Sequence, residues 1–220
     1  MVLPTAETPM ISRRTLIAAT ASLVATPALA QRKAPVAETT INPVKLMEAG
    51  PLPEKALGSA DAKVTIIEYA SFTCGHCATF HNTTLPKLKE KYISTGKVRF
   101  IFREFPFDPV AAAVAMLSRC APEDKYFDVS AVFFQEQASW ARAQDVVGAL
   151  RTLSLQLGFT QESFRACLTN QTLLDGVNAL RDKASNDFKV DSTPTFFING
   201  AMYKGAMPIE DFDAILAPLL

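Results

Sequence analysis

The quartet Cys74-Gly75-His76-Cys77 constrains this chain more than any other stretch. Before it runs Val64-Thr65-Ile66-Ile67-Glu68-Tyr69, rich in β-branched residues and bounded by Asp61-Ala62 and Ser71, which predicts a strand. After it, Phe80, Leu85, Leu88 and Tyr92 recur at roughly helical spacing, so a helix follows. Cys74 then lies at a helix start, where unpaired backbone N–H groups and the positive dipole end stabilise a thiolate. Cys77 lies one turn on, placed to close a disulfide or to resolve a mixed one. His76 offers a positive or hydrogen-bonding edge that favours the Cys74 anion, and a more stable anion is a better leaving group. The plainer alternative for His76 is a solvent-facing side chain.

A chain of 220 residues suits one domain with an insertion, and 49% apolar residues suffice for a full core. The 22 basic and 22 acidic side chains balance, which gives no pointer to nucleic acid. Residues 1–30 read as a signal peptide. Arg13-Arg14 form the positive region, Leu16 to Val24 the apolar run, and Ala28-Leu29-Ala30 a small-x-small site with cleavage after Ala30. The apolar run is shorter than the ~18 residues a membrane span needs. Ser12-Arg13-Arg14-Thr15-Leu16-Ile17 partly resembles a twin-arginine signal, so either that route or the general Sec route serves. Export implies an oxidising compartment, in which paired cysteines are read first as disulfides.

Residues 31–56 hold four prolines between Gln31 and Pro53 and little periodicity, which predicts a flexible leader or a loose N-terminal strand. Beyond the motif helix, Ser94-Thr95-Gly96 is a stop and Val98 to Phe102 the next strand, completing a strand–helix–strand unit with a right-handed crossover. Asp108 and Pro109 then announce helices. Five are expected: Ala111 to Cys120; one opened by Pro122 and carrying Tyr126, Val129, Phe133 and Phe134; Ala143 to Leu157; one capped by Thr160; and one through Leu173, Val177 and Leu180. After Val190 the sheet resumes with Thr195 to Ile198, the hairpin signal Asn199-Gly200, and a returning strand Ala201 to Lys204. A last helix starts at Pro208. Arg103-Glu104, Lys87, Lys89, Glu90 and Lys91 read as a solvated face.

The stretch from Val64 through Cys77 resembles the strand and active site of the thioredoxin-fold disulfide oxidoreductases, and within them the bacterial DsbA family. Thr193-Pro194-Thr195-Phe196-Phe197-Ile198-Asn199-Gly200 resembles that family's cis-proline loop and hairpin. The resemblance covers roughly Leu57 to the C-terminus. It implies an α/β thioredoxin fold over 57–220, a central mixed sheet flanked by helices, with an all-helical insertion at about 107–187. It also implies Thr193 and Pro194 facing the motif across a substrate groove, where the Thr193 backbone pairs with an extended substrate. Gly75-His76 and Thr193 lean toward the isomerases of the same fold. The implied activity is the introduction of disulfides into reduced exported proteins in the periplasm. Reoxidation falls to a DsbB-like membrane quinone oxidoreductase, with no metal or organic cofactor.

Glu68 stands in an otherwise apolar strand six residues before Cys74. A carboxylate buried there is pushed toward its neutral form, a candidate proton carrier for Cys77. The alternative is a glutamate reaching solvent at the strand end. The resemblance points to the same buried acid. Cys120 and Cys167 fall on different predicted helices of one insert. With Cys74 and Cys77 paired, they are left to form a second, structural disulfide, or to lie as buried free thiols. Two further readings stay open: a disulfide isomerase or reductase of the same fold, and a non-catalytic module holding zinc at Cys74, Cys77 and His81.

Overall fold

Side chains alternate along β3 (Val64–Ala70), and that alternation sorts the two faces of the sheet. Val64, Ile66 and Ala70 join a core with Phe100, Phe102 and Phe196, while Ile67 and Tyr69 turn the other way onto Phe188, Ile101 and Phe197. Glu68 therefore shares the face of Ile66 and Ala70. The computed structural model describes residues 1–3 and 33–220. The expected signal segment, with Arg13-Arg14 and Ala28-Leu29-Ala30, lies outside the described residues. One compact unit runs from Arg32 to Leu220 and holds every element described below.

Among the described residues the sheet has six strands: β1 (Thr39–Thr40), β2 (Lys55–Leu57), β3, β4 (Val98–Glu104), β5 (Thr195–Ile198) and β6 (Ala201–Lys204). Their order across the sheet is β1-β6-β5-β3-β4-β2, with β3 and β4 parallel and the other pairs antiparallel. The hairpin joining β5 and β6 turns on Asn199 and Gly200, at φ 46° and 95°, the left-handed pair that a two-residue primed turn requires. The motif helix follows β3 in four stretches: α2 (Gly75–Thr79), a wide π-type turn (Phe80–Thr84), α3 (Leu85–Leu88) and a second wide turn (Lys89–Ile93). Pro86, with no N–H to donate, sits just past the first wide turn.

Between β4 and β5 lies a block of helices: α4 (Pro109–Cys120), α5 (Tyr126–Gln135), α6 (Gln137–Ala141), α7 (Val146–Gln156), α8 (Gln161–Leu168) and α9 (Gln171–Phe188). Helix α10 (Ile209–Leu216) closes the chain. Cys120, the last residue of α4, is bridged to Cys167 of α8, with Cα atoms 6.1 Å apart and a sequence separation of 47. A loop of that length makes the bridge worth about 4 kcal/mol by chain entropy. Among the described residues no helix is long and apolar enough to cross a membrane.

Three expectations need correction. The sequence predicts five inserted helices, and the structure has six. The extra one, α6, is five residues long and buries only Trp140, too short for periodicity to register. Residues 33–56 are not a flexible leader: of the two readings an N-terminal strand is present, and a short helix follows it. β1 pairs with β6, α1 (Pro43–Leu46) is capped by the Asn42 side chain, and Leu46 is buried. Nor are Arg103 and Glu104 a solvated face, since both are buried. Arg103 donates to the Glu54 carboxylate, the Tyr69 hydroxyl and the Leu46 carbonyl. Glu104 accepts from Arg119 and from the Tyr126 hydroxyl. Covering segments on both faces bring these charges their partners, without which burial at the end of β4 would be prohibitive.

Candidate active site

The turn Ser71–Cys74 links β3 to α2, closed by the Cys74 amide donating to the Ser71 carbonyl at 3.1 Å. Cys74 is the N-cap residue of α2, extended at φ −79° and ψ 118°, so its side chain stands at the mouth of the helix. Cys77, one turn on, faces the core and is fully buried, while Cys74 is half-buried. Both are free thiols. The Thr193–Pro194 peptide is cis, and the Thr193 carbonyl lies 3.3 Å from Cys74 Sγ. A loop 119 residues away in sequence thus forms the far wall of the site.

The two sulfurs are driven in opposite directions. Cys74 is lowered from an ordinary 9.0 to about 5. The hydrogen bond from the Cys77 thiol contributes most, and the Thr193 side chain and the Cys77 and His76 amides add to it against partial burial. Burial raises Cys77 far above the usual thiol range, helped by its hydrogen bond to Cys74 and by the charge of Glu68. The Thr193 hydroxyl is buried and has no hydrogen-bond partner. His76 contributes through its backbone amide, and its side chain is exposed to solvent.

Glu68 is completely buried beneath the pair. Burial raises its carboxyl above the ordinary range, and the opposing pull of His81 is the smaller influence. Its Oε2 lies 2.9 Å from His81 Nε2, and its Oε1 has no hydrogen-bond partner. The His81 ring stacks on Phe134 at 3.9 Å and meets Phe80 and Phe102 edge-on. His81 is therefore committed to the acid and to the aromatic core. Among the described residues no three His, Cys, Asp or Glu side chains are grouped to hold a metal, which leaves the zinc alternative without a ligand set there.

Two polar side chains from the helical block also reach the motif, and the sequence reading did not include them in the site. Asp108 caps α4 by accepting from the Ala111 amide, and its other oxygen accepts from the Thr73 hydroxyl at 2.6 Å. Gln137, at the start of α6, donates from Nε2 to the carbonyls of Phe72 (2.6 Å) and Cys74 (3.0 Å). Asp108 carries a helix-start signature that says nothing of Thr73. Gln137 contacts residues more than 60 positions away and carries no local signal at all.

A family model described as Thioredoxin matches residues 52–217. A Rickettsia felis protein, provisionally named a protein-disulfide oxidoreductase, is 31% identical over 178 residues, covering 80% of this chain and 63% of the relative. The chain thus spans less than two thirds of the length of that curated relative. Among solved structures, Wolbachia pipientis alpha-DsbA1 is 32% identical with a TM-score of 0.73, over 81% of this chain and 96% of that one. BdbD of Bacillus subtilis in its oxidised form, at 22% identity and a TM-score of 0.65 over 86% of this chain and 97% of that one, shares the fold. The thioredoxin-type sheet, the paired cysteines at a helix mouth and the cis-proline loop agree with these likenesses: the chain belongs to the thioredoxin family and, within it, to the DsbA-like thiol:disulfide oxidoreductases.

Proposed function

We propose that this chain is an exported, periplasmic protein that donates the Cys74–Cys77 disulfide to reduced, unfolded proteins. One observation carries the reading: Cys74 stands half-exposed at the helix mouth against the Thr193 carbonyl, where its surroundings favour the anion, while Cys77 is fully buried, where they disfavour it. In the oxidised protein a substrate thiolate attacks Cys74 Sγ, forming a mixed disulfide and breaking the bond to Cys77. The Cys77 sulfur departs with the electron pair into an apolar, buried site that disfavours its charge, and it takes a proton from Glu68. A second substrate thiolate then attacks the substrate sulfur of the mixed disulfide. Cys74 leaves as the thiolate its surroundings stabilise, and the substrate keeps the new disulfide. The Thr193 backbone beside Cys74 offers an extended substrate a place to pair. A DsbB-like membrane partner takes the two electrons from the reduced pair, and no cofactor enters the exchange.

The direction of exchange is tested by equilibrating the Cys74–Cys77 pair with glutathione and by comparing reduced with scrambled ribonuclease as substrate. An oxidising pair that rapidly oxidises reduced ribonuclease, with Cys74→Ser reduced to background, is the expected result. A reducing pair that unscrambles ribonuclease but scarcely oxidises it would make the chain an isomerase, the reading favoured by Gly75-His76 and by Thr193.

A further inference from the structure

The Phe72 carbonyl lies inside the turn that delivers Cys74, outside the strand and helix ladders, and Gln137 Nε2 reaches it at 2.6 Å. The same nitrogen lies 3.0 Å from the Cys74 carbonyl, which also accepts the first helical hydrogen bond, from the Ala78 amide at 3.1 Å. That carbonyl shares a peptide plane with the Gly75 nitrogen. Gripping it fixes how α2 leaves Cys74, and so where the His76 and Cys77 amides aim. We propose that Gln137 is a positioning residue for Cys74: by holding the Phe72 and Cys74 carbonyls it lets the helical insertion set how well the amides of α2 are aimed at the Cys74 sulfur. The inference rests on the exchange chemistry proposed above and adds to it a control point on another element. Gln137 touches no reacting atom. Its N–H also offsets the partial negative charge of a carbonyl on the nucleophile's own residue, which favours the anion in the same sense.

The groups around this contact are few. On α2 the titratable side chains are Cys74, Cys77 and the exposed His76. Asp108, at the start of α4, is engaged by the Thr73 hydroxyl and the Ala111 amide. On α5 and α6 the neighbours are Phe133, Phe134 and Trp140, which carry no charge, and Glu136, which holds Ser139.

Three substitutions test the proposal, each read by the ultraviolet titration of the Cys74 thiolate and by the glutathione equilibrium. Gln137→Ala is expected to raise the Cys74 pKa by about one unit and to make the pair about tenfold less oxidising. Gln137→Glu, which sets lone pairs and a negative charge against the two carbonyls, is expected to shift both further the same way. Gln137→Lys, which keeps a donor, is expected to hold both within about threefold of wild type. A purely structural role for Gln137 would leave Gln137→Ala at the wild-type thiolate titration and glutathione equilibrium, whatever its stability, and would leave Lys and Glu apart only by the through-space effect of their charges. Should the alanine variant fail to fold, Gln137→Met, neutral and of similar length but with no N–H to donate, decides, and wild-type values in that variant overturn the proposal. Wild-type protein that fails to exchange with glutathione through Cys74 would instead sink the proposed function, with the proton and peptide geometry left untouched.

Discussion

Glu68 is the residue whose placement costs stability and which, on the exchange proposed above, supplies a proton. Its carboxyl is raised above the ordinary 4.5, chiefly by burial. Above that pH the unfolded chain has released the proton that the folded chain still holds, so the folded state binds more protons and stability falls as pH rises. Glu68→Gln removes the titration. It is expected to flatten that fall and to leave the protein about 1 kcal/mol more stable than wild type at neutral pH, as urea unfolding across a pH series would show. The same variant has no proton to give Cys77. Disulfide exchange is expected to slow by about a hundredfold, the order of a lost general acid. A variant both less stable and fully active would deny Glu68 this role. His81 keeps the acid in place through one oxygen and leaves Oε1 free on the other.

Among the elements, α2 shows how local rules shape the site. Gly75 is its first helical residue, a Cβ placed there meets nothing within 4 Å, and the preceding Cys74 is already extended. Proline prefers that position and that predecessor. Of the α2 amides, only those of His76 and Cys77 act on the Cys74 sulfur, so the Gly75 amide is dispensable. Gly75→Pro is therefore expected to raise stability by about 0.4–1 kcal/mol in urea unfolding while the Cys74 titration stays acidic. Elements of this kind were legible in the sequence because their causes lie within a few residues. β3, the Asn199-Gly200 turn and the Asp108 cap are examples. Illegible were contacts made at a distance: Gln137 on the motif carbonyls, Glu54 on Arg103, and the pairing of β1 with β6. The sequence marks Arg103 and Glu104 as charged and gives no sign of the segments that cover them. Glu68 is legible as a misplaced charge, but nothing in the sequence links it to its histidine partner 13 residues on, which suggests itself there only as a zinc ligand.

For the molecule as a whole, the state of the cysteine pair and global stability are linked. In the reduced protein Cys74 is depressed to about 5, so the folded chain sheds a proton that the unfolded chain keeps until about 9. Cys74's contribution to stability is thus fully present above the unfolded value and is lost as pH falls through about 5. Cys77, raised by burial, works against folding above the ordinary thiol value. The reduced protein is accordingly expected to gain stability over the oxidised one as pH climbs from about 5, and to lose some of that gain above about 9. Calorimetry of both forms across pH checks this. A difference that ignores pH would mean that Cys74 titrates as an ordinary thiol. Release of strain from the pair is not needed for the prediction, only the placement of two protons.

The end of β4 ties together pieces far apart in the chain. Neighbouring residues there point to opposite faces, Arg103 toward the partly exposed Glu54 and Glu104 toward Arg119, with both β4 charges hidden from water. A chain trimmed past Glu54 would strand a guanidinium in the interior, opposite an arginine–glutamate pair that stays whole. The segment from α1 to Glu54, peripheral to the eye, is therefore not dispensable to any shortened version of this protein.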